Sequence, residues 1–280
     1  MKPTTLAKAK KYLGQNFLHD PGTLGKIWQY LENRNLPGWM EIGCGTGAMT
    51  QSLSRGDFPF LGVEVDSDLI PDLEPWFMRQ DQRLLHQSVL TLLEGQVLET
   101  LPQGYGIFGN LPYNITSPIL ERIFSHFSHW TVMVCMVQKE VGDRLLAAPG
   151  SRKIGRVSLF CNYHAELKRV LRVSRGCFSP APAVDSVLLS FERKQAVLSS
   201  EGEAIFFRLL RLGYSQRRKK CFKLLRSCYP EEFLVVGYRE AGVGLDLRAE
   251  QISLQQWILL ARKLEELSEG KDYGGNHGIP

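Results

Sequence analysis

The sequence predicts an α/β protein with a mostly parallel, doubly wound sheet, followed by a small all-helical domain. Short apolar runs alternate with helical stretches from Trp39 to Phe191, which is the pattern of parallel strands joined by crossover helices. Only Ser174–Ser186, with Pro180 and Pro182, separates the last two runs. Because that segment cannot form a crossover helix, we expect an antiparallel pair at the sheet edge.

Seven apolar runs are interpreted as strands. They are Trp39–Ile42, Phe60–Val65, Leu84–His86, Ile107–Phe108, Val132–Val137, Leu167–Val173 and Val187–Phe191. After Phe191 apolar residues recur at i, i+3 and i+4, which indicates helices. These helices are predicted over Ala204–Leu212, Arg217–Ser227, Glu231–Tyr238 and Leu254–Leu267. We therefore divide the chain into a Rossmann-like domain with a basic N-terminal arm (1–195), a small helical domain (196–268) and a disordered tail (269–280).

Composition excludes several classes of protein. The 280 residues are 44% hydrophobic and 22% charged, which is enough apolar material for a sizeable core and argues against a mainly disordered chain. The longest apolar run, Val132–Val137, falls far short of the ~20 residues that cross a bilayer. The N-terminus also lacks the apolar segment of a signal peptide, so we expect a cytoplasmic protein.

Charge and metal-binding residues give weaker indications. The net charge of +5 suits a polyanionic partner without establishing one. Six cysteines are scattered singly, and the six histidines form no group with metal-ligand spacing. We therefore expect neither a disulfide framework nor a metal cofactor.

A glycine-rich segment follows the first predicted strand. Gly43 and Gly45 belong to a G-x-G-x-G segment that precedes a helical stretch, and Glu64 ends the next strand. Glycines let a ligand approach main-chain N–H groups, and an acid at that later strand end can accept hydrogen bonds from ribose hydroxyls. The spacing differs from the dinucleotide motif and favours S-adenosylmethionine, although such a turn can also simply join a strand to a helix.

The fourth predicted strand ends in the tetrad Asn110, Leu111, Pro112 and Tyr113. Carbonyl oxygens of Asn110 and Leu111 can accept hydrogen bonds from an aromatic amino group, such as N6 of adenine, and so free its lone pair for methylation. Pro112 stiffens the turn, and the Tyr113 ring can stack on the base. An ordinary strand-ending turn is the alternative, but the tetrad follows the glycine-rich segment in the order that a methyltransferase requires.

With these segments the chain resembles the KsgA-type ribosomal RNA adenine dimethyltransferases from Lys11 to about Leu264. The segments that carry the resemblance are Tyr12–Leu18, Asn110–Pro118, Gln138–Val141 and Phe178–Ser186. The resemblance implies a class I methyltransferase fold with a seven-stranded sheet, and S-adenosylmethionine as methyl donor. It also implies dimethylation of N6 on two adjacent adenines in a 3′-terminal hairpin of small-subunit rRNA, coupled to ribosome biogenesis.

The resemblance also assigns individual residues. It implies cofactor contacts for Gln15, Asn16 and Leu18, and places Phe178 across the target base from Tyr113; a buried core position is the alternative for Phe178. The family usually has Asp where this chain has Ser88. Because a hydroxyl accepts a hydrogen bond less strongly than a carboxylate, we expect weaker cofactor binding.

A basic cluster lies in the helical region, where residues 217–220 open a predicted helix. Ile205–Ser227 contains eight basic residues and no acidic one. The candidate phosphate contacts are Arg217, Arg218, Lys219, Lys220 and Lys223, with Lys8, Lys10, Lys11, Arg152 and Lys153 as secondary candidates. Such contacts position RNA without reading its sequence, although a charged run can also be only a solvated face.

Three other functions compete with a small-subunit rRNA dimethyltransferase. A large-subunit rRNA methyltransferase of the antibiotic-resistance type more often has Ile in the tetrad, where this chain has Leu111. A non-catalytic assembly factor would not need an intact tetrad. Amino-methylating DNA enzymes typically have a second proline at the position of Leu111. We therefore expect a small-subunit enzyme that acts on a pre-assembled subunit as a monomer.

Overall fold

The computed structural model describes residues 9–148, 150–151, 153–216 and 218–269. Its strands are β1 (Phe17–Leu18), β2 (Trp39–Ile42), β3 (Phe60–Glu64), β4 (Gln82–His86), β5 (Tyr105–Asn110), β6 (Trp130–Gln138), β7 (Ala165–Val173), β8 (Phe178–Ser179) and β9 (Ser186–Arg193). The chain divides into two units. The first runs up to Asp143 and includes Ala165–Arg193; the second comprises Arg144–His164 and the chain from Lys194 onwards.

A seven-stranded sheet forms the centre of the first unit, in the order β4-β3-β2-β5-β6-β9-β7. Strands β2 to β6 pair in parallel, whereas β9 pairs antiparallel with both β6 and β7. This arrangement confirms the predicted parallel sheet with an antiparallel pair at its edge. Strands β2 and β3 are buried at every position, which explains why they appear in the sequence as continuous apolar runs.

Helices of the first unit follow the strands. They are α1 (Pro21–Glu32), α2 (Thr50–Leu53), α3 (Ile70–Leu73), α4 (Glu94–Leu98) and α5 (Thr116–His126), while α6 (Lys139–Leu145) reaches into the second unit. Helix α1 begins at an N-cap, where the Asp20 side chain accepts a hydrogen bond from the main-chain N–H of Thr23. Its buried face contains Thr23, Ile27 and Leu31.

The sheet register places three predicted site residues at one edge. Ile42, which ends β2, pairs with Val63 of β3 and with Gly109 of β5. Gly43 therefore lies between the carboxyl ends of β3 and β5, which are Glu64 and Asn110. Ligands of open α/β sheets bind at this edge.

A short antiparallel pair, β1 with β8, was not predicted. Leu18 pairs with Phe178, and the main-chain N–H of His19 donates to the Cys177 carbonyl (3.0 Å). Strands of two residues carry too little periodicity to be seen in a sequence. The pairing joins two motifs that are 160 positions apart in the chain.

The second unit is helical. Its helices are α7 (Arg156–His164), α8 (Ser200–Gly213), α9 (Cys221–Leu225), α10 (Glu231–Glu240) and α11 (Leu254–Glu269). Phe206, Leu234 and Trp257 are fully buried in its core. Segment Arg144–His164 belongs to this unit, so a division at residue 195 alone does not describe it. The predicted tail lies outside the described residues from 270 on, and Glu269 ends α11.

Among the described residues, no helix is both long enough and apolar enough to span a membrane.

Candidate active site

A cavity of about 810 Å³, its open mouth included, lies at the carboxyl ends of β2, β3 and β5. It brings together most of the residues predicted to bind the cofactor or to act in catalysis. These are Gln15, Asn16, Leu18, Gly43, Gly45, Glu64, Asn110, Leu111, Pro112 and Tyr113. The lining contains neither Ser88 nor Phe178.

The glycine-rich segment leaves room for a ligand. Gly43 and Gly45 adopt φ of +73° and +56°, in the left-handed region that favours glycine. A Cβ added to Gly43 would meet nothing within 4 Å, whereas one added to Gly45 would lie 3.1 Å from Phe17 Cδ1. Gly43 therefore keeps the cavity open, and Gly45 makes space for the Phe17 ring.

Three main-chain N–H groups hold the Glu64 carboxylate. Oε2 accepts a hydrogen bond from Gly45 N (2.8 Å), and Oε1 accepts from Val65 N and Asp66 N (both 2.9 Å). A carboxylate has about four acceptor positions, so Oε2 retains capacity for a further donor. Glu64 is therefore fixed in place and can still accept a hydrogen bond from a ribose hydroxyl.

Glu41 is a second acid in the cavity wall and was not predicted from the sequence. It is only 2% exposed, and the Thr50 hydroxyl donates to its Oε2 (2.6 Å). Burial, helped by the charge of Glu64 and opposed by hydrogen bonds from Thr50 and Cys44, raises the pKa of Glu41 to about 8. Glu41 is therefore mainly protonated at neutral pH. A charged residue inside an apolar strand is the signal that could have found it.

The N-terminal segment is tied to the cavity by a small polar network. Lys10 Nζ lies 2.5 Å from Asp66 Oδ1 and 2.6 Å from Asp68 Oδ2. Gln15 Nε2 donates to Asp66 Oδ2 (2.7 Å), while Gln15 Oε1 accepts from Lys10 N (2.7 Å). Burial of Asp66 opposes its ionisation, but the hydrogen bonds from Lys10 and Gln15 outweigh this effect and lower its pKa.

This network changes the interpretation of two predicted residues. The Gln15 amide uses both its oxygen and its nitrogen within the protein, so Gln15 supports the cavity wall. Lys10 is engaged by two carboxylates and is therefore a poor candidate for contacting a phosphate. Lys8 lies outside the described residues.

Asn110 has a defined orientation. Its side-chain nitrogen Nδ2 donates to the main-chain oxygen of Asn16 (2.8 Å). Because a carbonyl oxygen only accepts hydrogen bonds, the nitrogen must face Asn16, which leaves Asn110 Oδ1 as an acceptor beside the cavity. The Asn16 side chain takes no part in this bond. Its Nδ2 donates instead to the Gly14 carbonyl (3.2 Å).

The remaining tetrad is held by main-chain and hydroxyl contacts. Leu111 N donates to Met136 O (3.1 Å), and the Pro112 carbonyl accepts from Ile115 N (3.2 Å) and the Thr116 hydroxyl (3.0 Å). These bonds make the turn that leads into α5 rigid.

Tyr113 is fixed through its hydroxyl. That hydroxyl forms a 2.6 Å hydrogen bond with the hydroxyl of Ser186, which is fully buried. Burial raises the pKa of Tyr113 more than the bond to Ser186 lowers it, so the phenol stays neutral. Ser186 was noted in the sequence only as the last residue of a motif, and its contact with Tyr113 spans 73 positions.

Phe178 and Ser88 lie away from the cavity lining. Phe178 is 3% exposed and belongs to a core cluster with Leu18 and Val173; a place opposite Tyr113 stays a prediction. Ser88 is half-buried, and its hydroxyl accepts a hydrogen bond from Leu90 N (3.3 Å). Its proposed contact with the adenine of the cofactor also stays a prediction.

Residues 6–266 match the model of the ribosomal RNA adenine dimethylase family. The chain belongs to this family. It is 33% identical over 260 residues to the ribosomal RNA small subunit methyltransferase A of Pseudomonas syringae pv. tomato, covering 92% of this chain and 96% of that protein.

Two solved structures share the fold of this rRNA adenine dimethylase. A dimethyladenosine transferase from Plasmodium falciparum matches with a TM-score of 0.76 at 21% identity, over 90% of this chain and 98% of that one. The 23S rRNA methyltransferase ErmE matches with a TM-score of 0.67 at 22% identity, over 89% and 100% respectively. The predicted class I methyltransferase fold is thereby confirmed.

Membership in the family implies S-adenosylmethionine as the methyl donor, and the cavity fits this molecule. Gly43 leaves space where a side chain would intrude, and Glu64 retains acceptor capacity for ribose. Apolar walls from Met49 and Phe108 suit the uncharged parts of the donor. Gly43, Gly45, Glu64 and Asn16 are the residues that would hold it.

The basic cluster of this rRNA adenine dimethylase lies in the second unit. Arg218, Lys219, Lys220 and Lys223 are exposed, whereas Arg217 lies outside the described residues. The prediction that this cluster opens a helix was wrong, because Lys220 is the N-cap of α9. Arg226 pairs with Glu231 (2.8 Å).

Proposed function

We propose that this rRNA adenine dimethylase transfers two methyl groups from S-adenosylmethionine to N6 of each of two adjacent adenines in a 3′-terminal hairpin of small-subunit rRNA. The orientation of Asn110 carries this proposal. Its Nδ2 is occupied by Asn16, so its Oδ1 is an acceptor at the cavity. The name of the Pseudomonas relative supports the small subunit as target.

The chemistry follows from holding an amino group that is conjugated with its ring. Asn110 Oδ1 and the Leu111 carbonyl accept hydrogen bonds from the two N6 hydrogens and draw the nitrogen towards tetrahedral geometry, so its lone pair is no longer delocalised into the ring. The neutral Tyr113 ring stacks on the flipped base. S-adenosylmethionine supplies a methyl group on a positively charged sulfur. Methylation leaves N6 positively charged and acidic, so it loses its proton to water and no strong base is required. The residues act by orientation and electrostatic stabilisation.

The second methylation needs the same groups. After one transfer N6 retains one hydrogen, and either Asn110 Oδ1 or the Leu111 carbonyl can hold it. The site therefore holds the ring of the monomethylated adenine in the same plane as that of the unmethylated adenine.

Contacts outside the cavity position the RNA. Arg218, Lys219, Lys220 and Lys223 present exposed positive charge, and such residues bind phosphates without reading sequence. Recognition of one hairpin must then come from the shape of the substrate. The substrate is accordingly a pre-assembled small subunit, which presents that shape, and not naked RNA. The proposal also places the enzyme in the cytoplasm as a monomer.

The test measures transfer of labelled methyl from S-adenosylmethionine to purified, under-methylated small subunits, to large subunits and to naked small-subunit RNA. We expect label only on small subunits, loss of label with Asn110→Ala, and no loss with Asn33→Ala, which changes an exposed asparagine after α1. Labelling of large subunits would support a resistance-type enzyme instead. Binding to small subunits without any transfer would support a non-catalytic assembly factor.

A further inference from the structure

Tyr12 is an exposed aromatic side chain next to the cavity. It is 74% exposed, and among the large apolar side chains left exposed in residues 9–148, 150–151, 153–216 and 218–269 it is the only aromatic one. Single exposed apolar residues are ordinary on protein surfaces. The position of Tyr12 therefore decides whether its exposure has a function.

The main chain around Tyr12 is held firmly. Lys11–Leu13 forms a 3₁₀ turn in which Leu13 N donates to Lys10 O (3.1 Å) and Gly14 N donates to Lys11 O (3.0 Å). Gly14 ends the turn with φ of +67°. Lys10, which precedes the turn, is fixed by Asp66. A ring on such a turn loses little conformational entropy when it binds a ligand.

The turn directly adjoins the catalytic loop. Leu13 and Gly14 line the cavity. A Cβ added to Gly14 would lie 2.8 Å from Asn114 Oδ1 and 3.5 Å from Pro112 Cβ. Tyr12 therefore directly precedes, in the chain, the part of the cavity wall that lies against the tetrad.

Lys11 supplies a cation at the same place. Its side chain is exposed, and no carboxylate among the described residues lies within ion-pair distance of it. An exposed aromatic ring beside an unpaired cation is the combination with which proteins bind single-stranded nucleic acid.

We propose that Tyr12 stacks on the base next to the target adenine and that Lys11 binds the adjoining phosphate. This inference rests on the proposed function, because it needs an adenine flipped out of an RNA strand. Flipping leaves the neighbouring base with one uncovered face. Tyr12 covers that face and so favours the flipped state.

The experiment measures binding and not methyl transfer, so it uses the full chain and an isolated 3′-terminal small-subunit rRNA hairpin that carries 2-aminopurine next to the two target adenines. Affinity is measured by titration, and stacking by quenching of 2-aminopurine fluorescence. We expect Tyr12→Ala to weaken binding at least about fivefold and to abolish the quenching, with Tyr12→Phe close to wild type. Lys11→Ala should weaken binding and keep the quenching. Met78→Ala, which removes an 81% exposed side chain elsewhere, is the control.

Two further readouts separate this inference from the proposed function. The affinity for S-adenosylmethionine must be unchanged in Tyr12→Ala, which shows that the cavity is intact. If Tyr12→Ala binds and quenches like Met78→Ala while wild type methylates small subunits, Tyr12 does not stack on a base. The proposed methyltransferase function is then unaffected. If wild type transfers no methyl but Tyr12→Ala still weakens hairpin binding and abolishes the quenching, the proposed function fails and Tyr12 is a base contact of an RNA-binding protein that is not a methyltransferase. Loss of affinity for whole subunits alone, with hairpin binding unchanged, would indicate a protein contact and overturn the inference.

Discussion

The side-chain nitrogen of Asn110 donates a 2.8 Å hydrogen bond to the main-chain oxygen of Asn16. This bond joins the carboxyl end of β5 to a segment 94 positions earlier in the chain. It makes the free oxygen of Asn110 an acceptor at the cavity, so the N-terminal segment takes part in orienting the catalytic group.

Asn110→Asp tests this orientation. The substitution keeps an acceptor oxygen but replaces the nitrogen with a second oxygen, which repels the Asn16 carbonyl. We expect kcat on small subunits to fall by about 10²-fold or more, as when an oriented hydrogen-bonding group is lost from an active site. A single-turnover measurement of methyl transfer to small subunits checks this expected fall. An Asp variant with near wild-type kcat would mean that the orientation of Asn110 is unimportant.

Glu64→Gln should weaken binding of S-adenosylmethionine at least tenfold. Glutamine has one acceptor oxygen where Glu64 has two. The side-chain nitrogen of the glutamine would therefore face a main-chain N–H that donates to the Glu64 carboxylate in wild type. Titration calorimetry measures the affinity. Glu99→Gln alters an exposed acid and should leave the affinity unchanged; equal affinities of the two variants would remove Glu64 from the cofactor site.

Ser88→Asp should tighten binding of S-adenosylmethionine about three- to tenfold. A carboxylate keeps the acceptor for Leu90 N and adds a stronger one for an adenine amino group. The control is Ser67→Asp, which adds the same charge at an exposed position near Asp66. If wild type binds as tightly as Ser88→Asp, the serine does not weaken the site.

Glu41→Gln should alter how stability depends on pH. With a native pKa of about 8, Glu41 keeps its proton between pH 5 and 8, whereas the unfolded chain ionises it above its ordinary pKa of 4.5. The native state then binds more protons, so Glu41 lowers stability as pH rises through this window. Thr50, Cys44 and Glu64 are the groups that face it.

The measurement compares urea unfolding of wild type and Glu41→Gln at pH 5 and pH 8. Relative to wild type, the variant should gain on the order of 3 kcal/mol between these two pH values. A difference that stays constant with pH would show that Glu41 is ionised in the native protein.

Ser186→Ala should slow catalysis about tenfold through Tyr113. The change removes the 2.6 Å hydrogen bond that fixes the Tyr113 ring, while Ser186 itself does not line the cavity. Tyr113→Phe removes the same bond from the other side. If the bond is what Ser186 contributes, the double variant is no slower than the slower single variant, whereas multiplied effects would indicate independent roles.

Much of the site follows from strand ends that the sequence makes visible. Gly43, Glu64 and Asn110 each follow or end an apolar run, and parallel strands bring their carboxyl ends together. Glu41 interrupts such a run but was missed, because its burial and its contact with Thr50 depend on packing that the strand pattern does not show.

The features that could not be predicted from the sequence depend on contacts between residues far apart in the chain. The ion pair of Lys10 with Asp66 spans 56 positions, and nothing local in either segment indicates the other. The helical unit includes Arg144–His164, because the chain enters that unit before completing the sheet with β7 and β9. Local periodicity in the sequence does not show where the chain passes from one unit to the other.

The proposed function requires that adenines of the small subunit receive two methyl groups on N6. The direct measurement is nucleoside mass spectrometry of small-subunit RNA after incubation with S-adenosylmethionine and wild type, beside Asn110→Ala. We expect two N6,N6-dimethyladenosines per subunit with wild type and none with the variant. Methylation at another position of the base, or an equal yield from Asn110→Ala, would contradict it.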